Sequence, residues 1–269
     1  MPYRNLLLED MKNNRTSLGA YANDPDMIRL MAHVGFHWVM IDMMFTGNDW
    51  SRVENLITVA EASDITPVIR VQSNPWIGYD HRIAVDVTRA LGVGAQFVIA
   101  SVSGKREVEE CIEASKDWHR RALTIHPFQN FSEWEPVSQK MAEETVFCPA
   151  IESKQAYEET EEILKIPGLK CFHIAMTDLS RVIRGKNEPD FYNDKLWDYV
   201  RNVVRICNER HIYVGANTSY AYTAEEMAKR VKKLHEAGIR MILVQGGTFL
   251  FQLLVGEFMK SLKKDLELE

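Results

Sequence analysis

The stretch "HWVMIDMMF" (residues 37–45) carries apolar side chains from Trp38 to Ile41 and again from Met43 to Phe45, with a single carboxylate, Asp42, between them. It lacks the apolar/polar alternation of a strand with one face in water. A run that is apolar on both faces fits a parallel strand covered on both sides. A buried carboxylate costs several kcal/mol unless a cation or hydrogen-bond donors hold it. Asp42 is therefore expected at the end of a strand, where it can meet such a group.

Seven further runs of the same kind lie outward from this one. They are "SLGAY" (17–21), "PVIR" (67–70), "QFVIA" (96–100), "VFCPAI" (146–151), "KCFHIA" (170–175), "IYVGA" (212–216) and "RMILVQ" (240–245), with "ALTIH" (122–126) as a minor ninth. Amphipathic segments such as "DPDMIRLMAHVGF", "SRVENLITVAEAS" and "TAEEMAKRVKKLHEAG" separate them, opening on Asp, Ser or Thr as N-caps. Strands alternating with helices predict an α/β protein with a parallel sheet, and eight repeats predict a closed (β/α)8 TIM barrel. An open doubly wound sheet would give a similar rhythm, but no GxGxxG follows the first strand. No linker or low-complexity tract interrupts the alternation, so residues 1–269 read as one domain with a helix before the first strand.

At 46% hydrophobic and 26% charged residues, the composition excludes extensive disorder. A net charge of −6 with scattered Lys and Arg argues against a nucleic-acid partner. The opening "MPYRNLLLEDMKNNR" is too polar for a signal peptide or membrane span, so the expectation is a cytoplasmic protein with no membrane partner. Cys111, Cys148, Cys171 and Cys207 form no CxxC pair and read as buried thiols.

Enzymatic sites on such barrels lie at the C-terminal ends of the strands. Polar residues recur there: Tyr21 and Asn23, Asp42, Arg70, Ser101, Glu152, Thr177 and Asp178, Asn217 and Gln245. Glu152 and Asp178 follow successive strands, and neighbouring strands are about 4.8 Å apart, so the two carboxylates can share one cation. A hard divalent ion on two protein oxygens keeps positions for an oxygen-rich ligand. Taken singly, each reads as a helix cap or a solvated carboxylate before a ligand, and the pair on adjacent strands reverses that preference. Arg70 closes an apolar strand and needs a partner: a bidentate substrate carboxylate or keto acid, or a structural ion pair with Asp42 or Glu152.

The motifs "VGFHWVMID", "ITPVIRV", "AIES" and "AMTDLS", in that order and spacing, resemble the HpcH/HpaI family of metal-dependent class II pyruvate aldolases, which includes citrate lyase β-type subunits. The resemblance runs from about Leu18 to the last helix. It implies Mg2+, Mn2+ or Co2+ on Glu152 and Asp178, chelating the carboxylate and keto oxygens of a small 2-oxo acid such as pyruvate. Arg70 would hold the oxygen that becomes negative in the enolate, and the backbone near Thr177 the substrate carboxylate. Tyr21 and Trp76 are expected to contact substrate as well. The family also implies a homo-oligomer, with hexamers common and the last helix packed on a neighbouring subunit. The apolar "TFLFQLLVGEFMKSL" suits that expectation.

The departures fall within the same site. The aldolases follow the aspartate with Gly-Glu-His and use that histidine as general base, whereas here Met43, Met44 and Phe45 follow Asp42. Ala150 stands where the family has glutamine, and "HRRALTIHPFQNFSEW" replaces an "RGxG" loop. Asp42 and His126 are the candidates to manage the proton in place of Phe45. His173, inside an apolar strand, reads as a core histidine. Trp76, Phe128, Phe131, Tyr220 and Tyr222 make the mouth aromatic, suited to a partly apolar substrate or to packing. The leading expectation is a metal-dependent carbon–carbon lyase acting on a 2-oxo acid. Hydratase, decarboxylase or acyl-CoA lyase chemistry on the same metal site is the alternative, and a non-catalytic barrel is the third reading.

Overall fold

The computed structural model of the chain describes residues 5–116 and 143–265. Eight parallel strands close into a barrel in chain order: β1 (Ser17–Tyr21), β2 (Trp38–Asp42), β3 (Thr66–Arg70), β4 (Phe97–Val102), β5 (Val146–Ile151), β6 (Cys171–Ile174), β7 (Tyr213–Asn217) and β8 (Met241–Val244), with β8 pairing back onto β1. Each of the eight main runs read from the sequence is a strand, and two of them, β1 and β5, keep the same bounds. The ninth run, 122–126, lies outside the described residues.

The helices are α1 (Leu6–Lys12), α2 (Pro25–His33), α3 (Trp50–Ala62), α4 (Arg82–Gly92), α5 (Lys105–Ala114), α6 (Lys154–Glu158), α7 (Thr160–Ile163), α8 (Met176–Arg184), α9 (Asp194–Glu209), α10 (Ala224–Glu236) and α11 (Gly247–Asp265). Side-chain oxygens start many of them. Asp24 accepts from the N–H groups of Asp26 and Met27, Asp49 from Arg52, Ser153 from Ala156 and Thr223 from Glu226. Among the described residues no helix is long and apolar enough to cross a membrane.

Strand side chains divide into two apolar shells because successive residues face opposite ways. The outer shell, including Val39, Ile41, Ile69, Val98 and Ile151, packs under the helices. The inner shell, including Trp38, Met40, Val68, Phe97, Cys148 and Met241, fills the barrel axis. Gly19 makes room for the largest of these: a Cβ there would lie 2.1 Å from the Trp38 ring. Leu7 and Leu8 of α1 join the inner shell, and the Leu7 N–H bonds Thr66 Oγ1 at 3.2 Å, so α1 stoppers the N-terminal end. All four cysteines are buried and free.

The register fixes the opposite end. Asp42 lies directly beside Arg70 across β2 and β3, and Ala150 lies beside His173 across β5 and β6. The last helix, α11, leaves Phe251, Leu254 and Phe258 more than 60% exposed.

Candidate active site

The C-terminal ends of the strands surround a cavity of about 320 Å³, lined among others by Tyr21, Asp42, Phe45, Arg70, Glu152, His173, Thr177, Asp178 and Asn217. That volume suits a small molecule, at the lower edge of the common range of about 300–1,000 Å³. Tyr21, Asp42, Arg70, Glu152, Thr177 and Asp178, all read from the sequence as site residues, thus meet in one opening. Trp76 is half exposed on the loop after β3 and does not line this cavity. His126 lies outside the described residues, as do Phe128 and Phe131.

Asp42 and Arg70 form a two-pronged ion pair, with Nε to Oδ1 and Nη2 to Oδ2 both at 2.7 Å. The Met44 N–H also donates to Asp42 Oδ1, at 2.9 Å. Asn23 and Asn48 fix the backbone around the carboxylate: the Asp42 N–H donates to Asn23 Oδ1 at 2.8 Å, and Asn48 Nδ2 donates to the Asp42 carbonyl at 2.8 Å. The Thr46 hydroxyl bonds the same carbonyl. Of the two readings open for Arg70, the ion pair with Asp42 is present, and it leaves Nη1 without a protein partner among the described residues. The guanidinium also lies 5.2 Å from the centre of the Tyr21 ring and 4.9 Å from that of Phe45. Phe45 therefore puts an aromatic face on the arginine. Burial pushes the Tyr21 phenol up to about 12. The Arg70 charge opposes this, and the charges of Asp42 and Glu152 add to it.

Glu152, immediately after β5, is buried at 5% exposure, and its Oε1 has no hydrogen-bond partner. Burial, and after it the negative charge of Asp178, push its carboxyl up to about 7, while the Ser101 hydroxyl and Arg70 pull the other way. Asp178 sits in the first turn of α8 and pairs with Arg181 at 3.1 Å. A carboxyl raised by burial and by the charge of Asp178, with an orphaned buried oxygen, forms with Asp178 the donor set that a divalent cation relieves. Among the described residues no group of three or more His, Cys, Asp or Glu side chains could hold a metal, so an ion here would rest on these two. No side chain caps α8. Its first-turn N–H groups, next to Thr177, are available to an anion at the cavity wall.

His173 is buried on β6 and also lines the cavity, with Nδ1 unpartnered. Burial, and then the Arg70 charge, push it down to about 3, so the ring is neutral. Its place in an apolar run disguised it as core. The available signal was its spacing: with two residues per turn of side-chain direction, His173 faces the same way as Cys171, inward.

The family model for HpcH/HpaI aldolase/citrate lyase matches residues 15–245. A curated relative, the 2-dehydro-3,6-dideoxy-6-sulfogluconate aldolase of Pseudomonas putida, is 24% identical over 157 residues, which are 56% of this chain and 58% of that one. The chain thus aligns with little more than half of that relative's length. An HpcH/HpaI aldolase from Desulfitobacterium hafniense DCB-2 superimposes with a TM-score of 0.79 at 19% identity, covering 97% of each chain. A phosphonopyruvate hydrolase, solved in complex with oxalate and Mg2+, superimposes with a TM-score of 0.61 at 10% identity, covering 98% of this chain and 88% of that one. At such identities these two structures speak for the fold.

Proposed function

Because the chain belongs to the HpcH/HpaI aldolase/citrate lyase family, and is thereby a lyase-type enzyme, we propose that it makes or breaks a carbon–carbon bond beside the keto group of a 2-oxo acid, at a divalent-metal site on Glu152 and Asp178. The observation that carries this reading is Glu152: a buried carboxylate with an unpartnered oxygen, facing Asp178 and Arg70 across one small cavity. The phosphonopyruvate hydrolase that shares the fold holds Mg2+ and oxalate, a planar dicarboxylate of similar shape to an enolised 2-oxo acid.

When bound, Mg2+, Mn2+ or Co2+ would supply Lewis-acid polarisation of the ligand's carboxylate and keto oxygens. The chain's own groups do the rest. Uncapped N–H groups at the start of α8, beside Thr177, receive the substrate carboxylate. Arg70 presents its free Nη1 to the keto oxygen, where negative charge grows as the enolate forms. Asp42 holds the other edge of that fork, and Tyr21 and Phe45 flank its faces, so the donor is oriented before the charge develops. Proton transfer falls to a group other than residue 45. Asp42 shares both its oxygens with Arg70, and His126 is the second candidate.

Phe45 favours one alternative, namely chemistry on the same metal site that needs no histidine base, such as hydratase, decarboxylase or acyl-CoA lyase reactions. Product analysis on hydroxy-oxo acids and acyl thioesters separates these from aldol cleavage. The exposed apolar row on α11 belongs to this reading as well, covered by a second copy of the chain in a homo-oligomer. Sedimentation tests that part.

Pyruvate enolisation is measured by exchange of its methyl protons in deuterated buffer with Mn2+ present. Exchange by the wild type is expected, with a loss of at least about 1,000-fold in Glu152→Gln. Absence of exchange with metal demonstrably bound, or full exchange in Glu152→Gln, sinks the proposal.

A further inference from the structure

Among the described residues, four other than glycine have a positive φ: Asn14, Asp64, His211 and Ser219. The first three follow α1, α3 and α9, where a left-handed residue is a common way to end a helix. Ser219 follows a strand instead, two residues past β7 at the cavity mouth, with φ at +54°. Glycine would take that conformation freely, so a serine held there points to a use for its side chain. The loop is pinned on both sides of it. The Thr218 N–H donates to the Leu243 carbonyl at 3.0 Å, and the Ala221 N–H to Gln245 Oε1 at 3.3 Å. Arg230 Nη1, from α10, donates to the carbonyls of Thr218 and Tyr220 at 3.2 and 2.8 Å, so one guanidinium nitrogen bridges the two residues that flank Ser219.

Arg230 is itself fixed. Its Nε pairs with Glu226 at 2.7 Å, Glu226 accepts from the Tyr192 hydroxyl at 2.9 Å, and the guanidinium lies 4.7 Å from the centre of the buried Phe191 ring. Arg230 does not line the mouth cavity, whereas Ser219 and Thr177 both do. The Thr177 hydroxyl donates to Ser219 Oγ at 3.1 Å. Each hydroxyl has one hydrogen to give, so two that bond each other spend one and keep one. The hydrogen that remains, on Ser219, meets no acceptor among the described residues. It stands at the cavity wall, within hydrogen-bond distance of Thr177 at the start of α8.

We infer that Ser219 gives this hydrogen to the carboxylate of the bound 2-oxo acid, and that Arg230, from outside the cavity, is the positioning residue that keeps Ser219 in place to do so. The inference rests on the binding mode proposed above, which brings that carboxylate to the start of α8 beside Thr177. A hydrogen bond to a charged group is among the stronger ones, which is reason for the chain to keep a serine where glycine would fit more easily. Arg230 acts only through the loop, by fixing the carbonyls on either side of Ser219. Neither residue takes part in the bond-breaking step.

Isothermal titration of oxalate into the full-length, Mn2+-loaded protein tests both residues. Ser219→Gly removes the hydroxyl and suits the left-handed backbone, so it is expected to melt close to the wild type and to keep its Mn2+ affinity. Its affinity for oxalate should fall about tenfold, the usual cost of a lost bond to a charged group. Arg230→Met is expected to weaken oxalate about three- to tenfold by the same route. Because Arg230 acts through Ser219, adding Arg230→Met to Ser219→Gly should cost little more than Ser219→Gly alone, which a general loss of structure would not reproduce. Wild-type affinity in Ser219→Gly, or full additivity of the two substitutions, overturns the inference while the metal site stands. Oxalate binding that is absent from the wild type overturns the metal reading, and this inference with it. Should Arg230→Met fail to fold, Arg230→Lys, which keeps a charge beside Glu226, takes its place in the same cycle.

Discussion

At the N-terminal end of the barrel, Leu7 and Leu8 press into the interior beneath Trp38 and Phe97. Most polar groups nearby are paired, Ser17 Oγ being the exception: Asn5 Oδ1 accepts from the Leu8 N–H, Asn5 Nδ2 donates to Gln96, and Asp10 meets Arg15 and His37. At the C-terminal end the same strands run out into charge. Glu152, His173 and Asn217 each leave a buried polar atom unpartnered there, and Arg70 keeps one edge of its fork free. The contrast teaches where the fold spends its stability. One end is satisfied by the chain with a single exception, Ser17 Oγ, and the other gathers three unpartnered atoms on residues around one cavity, which is the usual division of labour on this architecture.

Truncating the stopper should separate the two ends most sharply. Leu7 is fully buried, so Leu7→Ala is expected to lower the unfolding free energy by about 4 kcal/mol, through lost burial and the cavity left behind. The affinity of the folded protein for Mn2+ should stay as in the wild type. Denaturant melts and metal titrations check both halves. A change in metal affinity would show that the ends are coupled and would break the comparison.

Glu152 should give the next largest effect, with the opposite sign for stability. Its carboxyl is raised from an ordinary 4.5 to about 7 in the folded protein. Without metal, the folded state therefore holds this proton more tightly than the unfolded chain does. The resulting stabilisation is complete below about pH 4.5, is lost as pH rises through 7, and is worth on the order of 3 kcal/mol. Melts of metal-free wild type and Glu152→Gln from pH 4.5 to 8 should diverge by about that amount, the variant becoming relatively more stable as pH rises. Parallel curves would mean that the mouth carries no such strain. By the same linkage, Mn2+ affinity should climb with pH up to about 7 and level off above it.

The smallest effect concerns Phe45. Removing its ring in Phe45→Leu costs the stacking on Arg70, about 0.5–1 kcal/mol, read as a few-fold slower exchange of pyruvate protons with little change in melting. A loss as large as that of Glu152→Gln would make Phe45 part of the chemistry rather than a wall of the arginine.

The order and type of the strands were legible because a parallel strand buried on both sides must be a short apolar run, and helices must intervene to carry the chain back. "SLGAY" and "VFCPAI" became β1 and β5 without moving an end. Asp42, Arg70, Glu152 and Asp178 were legible as polar residues ending such runs. The partner of Arg70 was not: both Asp42 and Glu152 were open until register set Asp42 beside it. His173 was hidden for a related reason. In a strand without polar alternation nothing local marks which face looks into the barrel, so a histidine there reads as packing.

The sequence by itself determined that this chain is a (β/α)8 barrel with carboxylates and an arginine at the strand ends, because periodicity and strand termini are local properties of a run of residues. Only the tertiary structure decided that Asp42 holds Arg70, that Phe45 rather than a base covers that arginine, and that Glu152, His173 and Asn217, each with an unpartnered buried atom, line one cavity. Those relations join residues far apart in the chain, and the closure of eight strands, with its register and its inward-facing side chains, sets them.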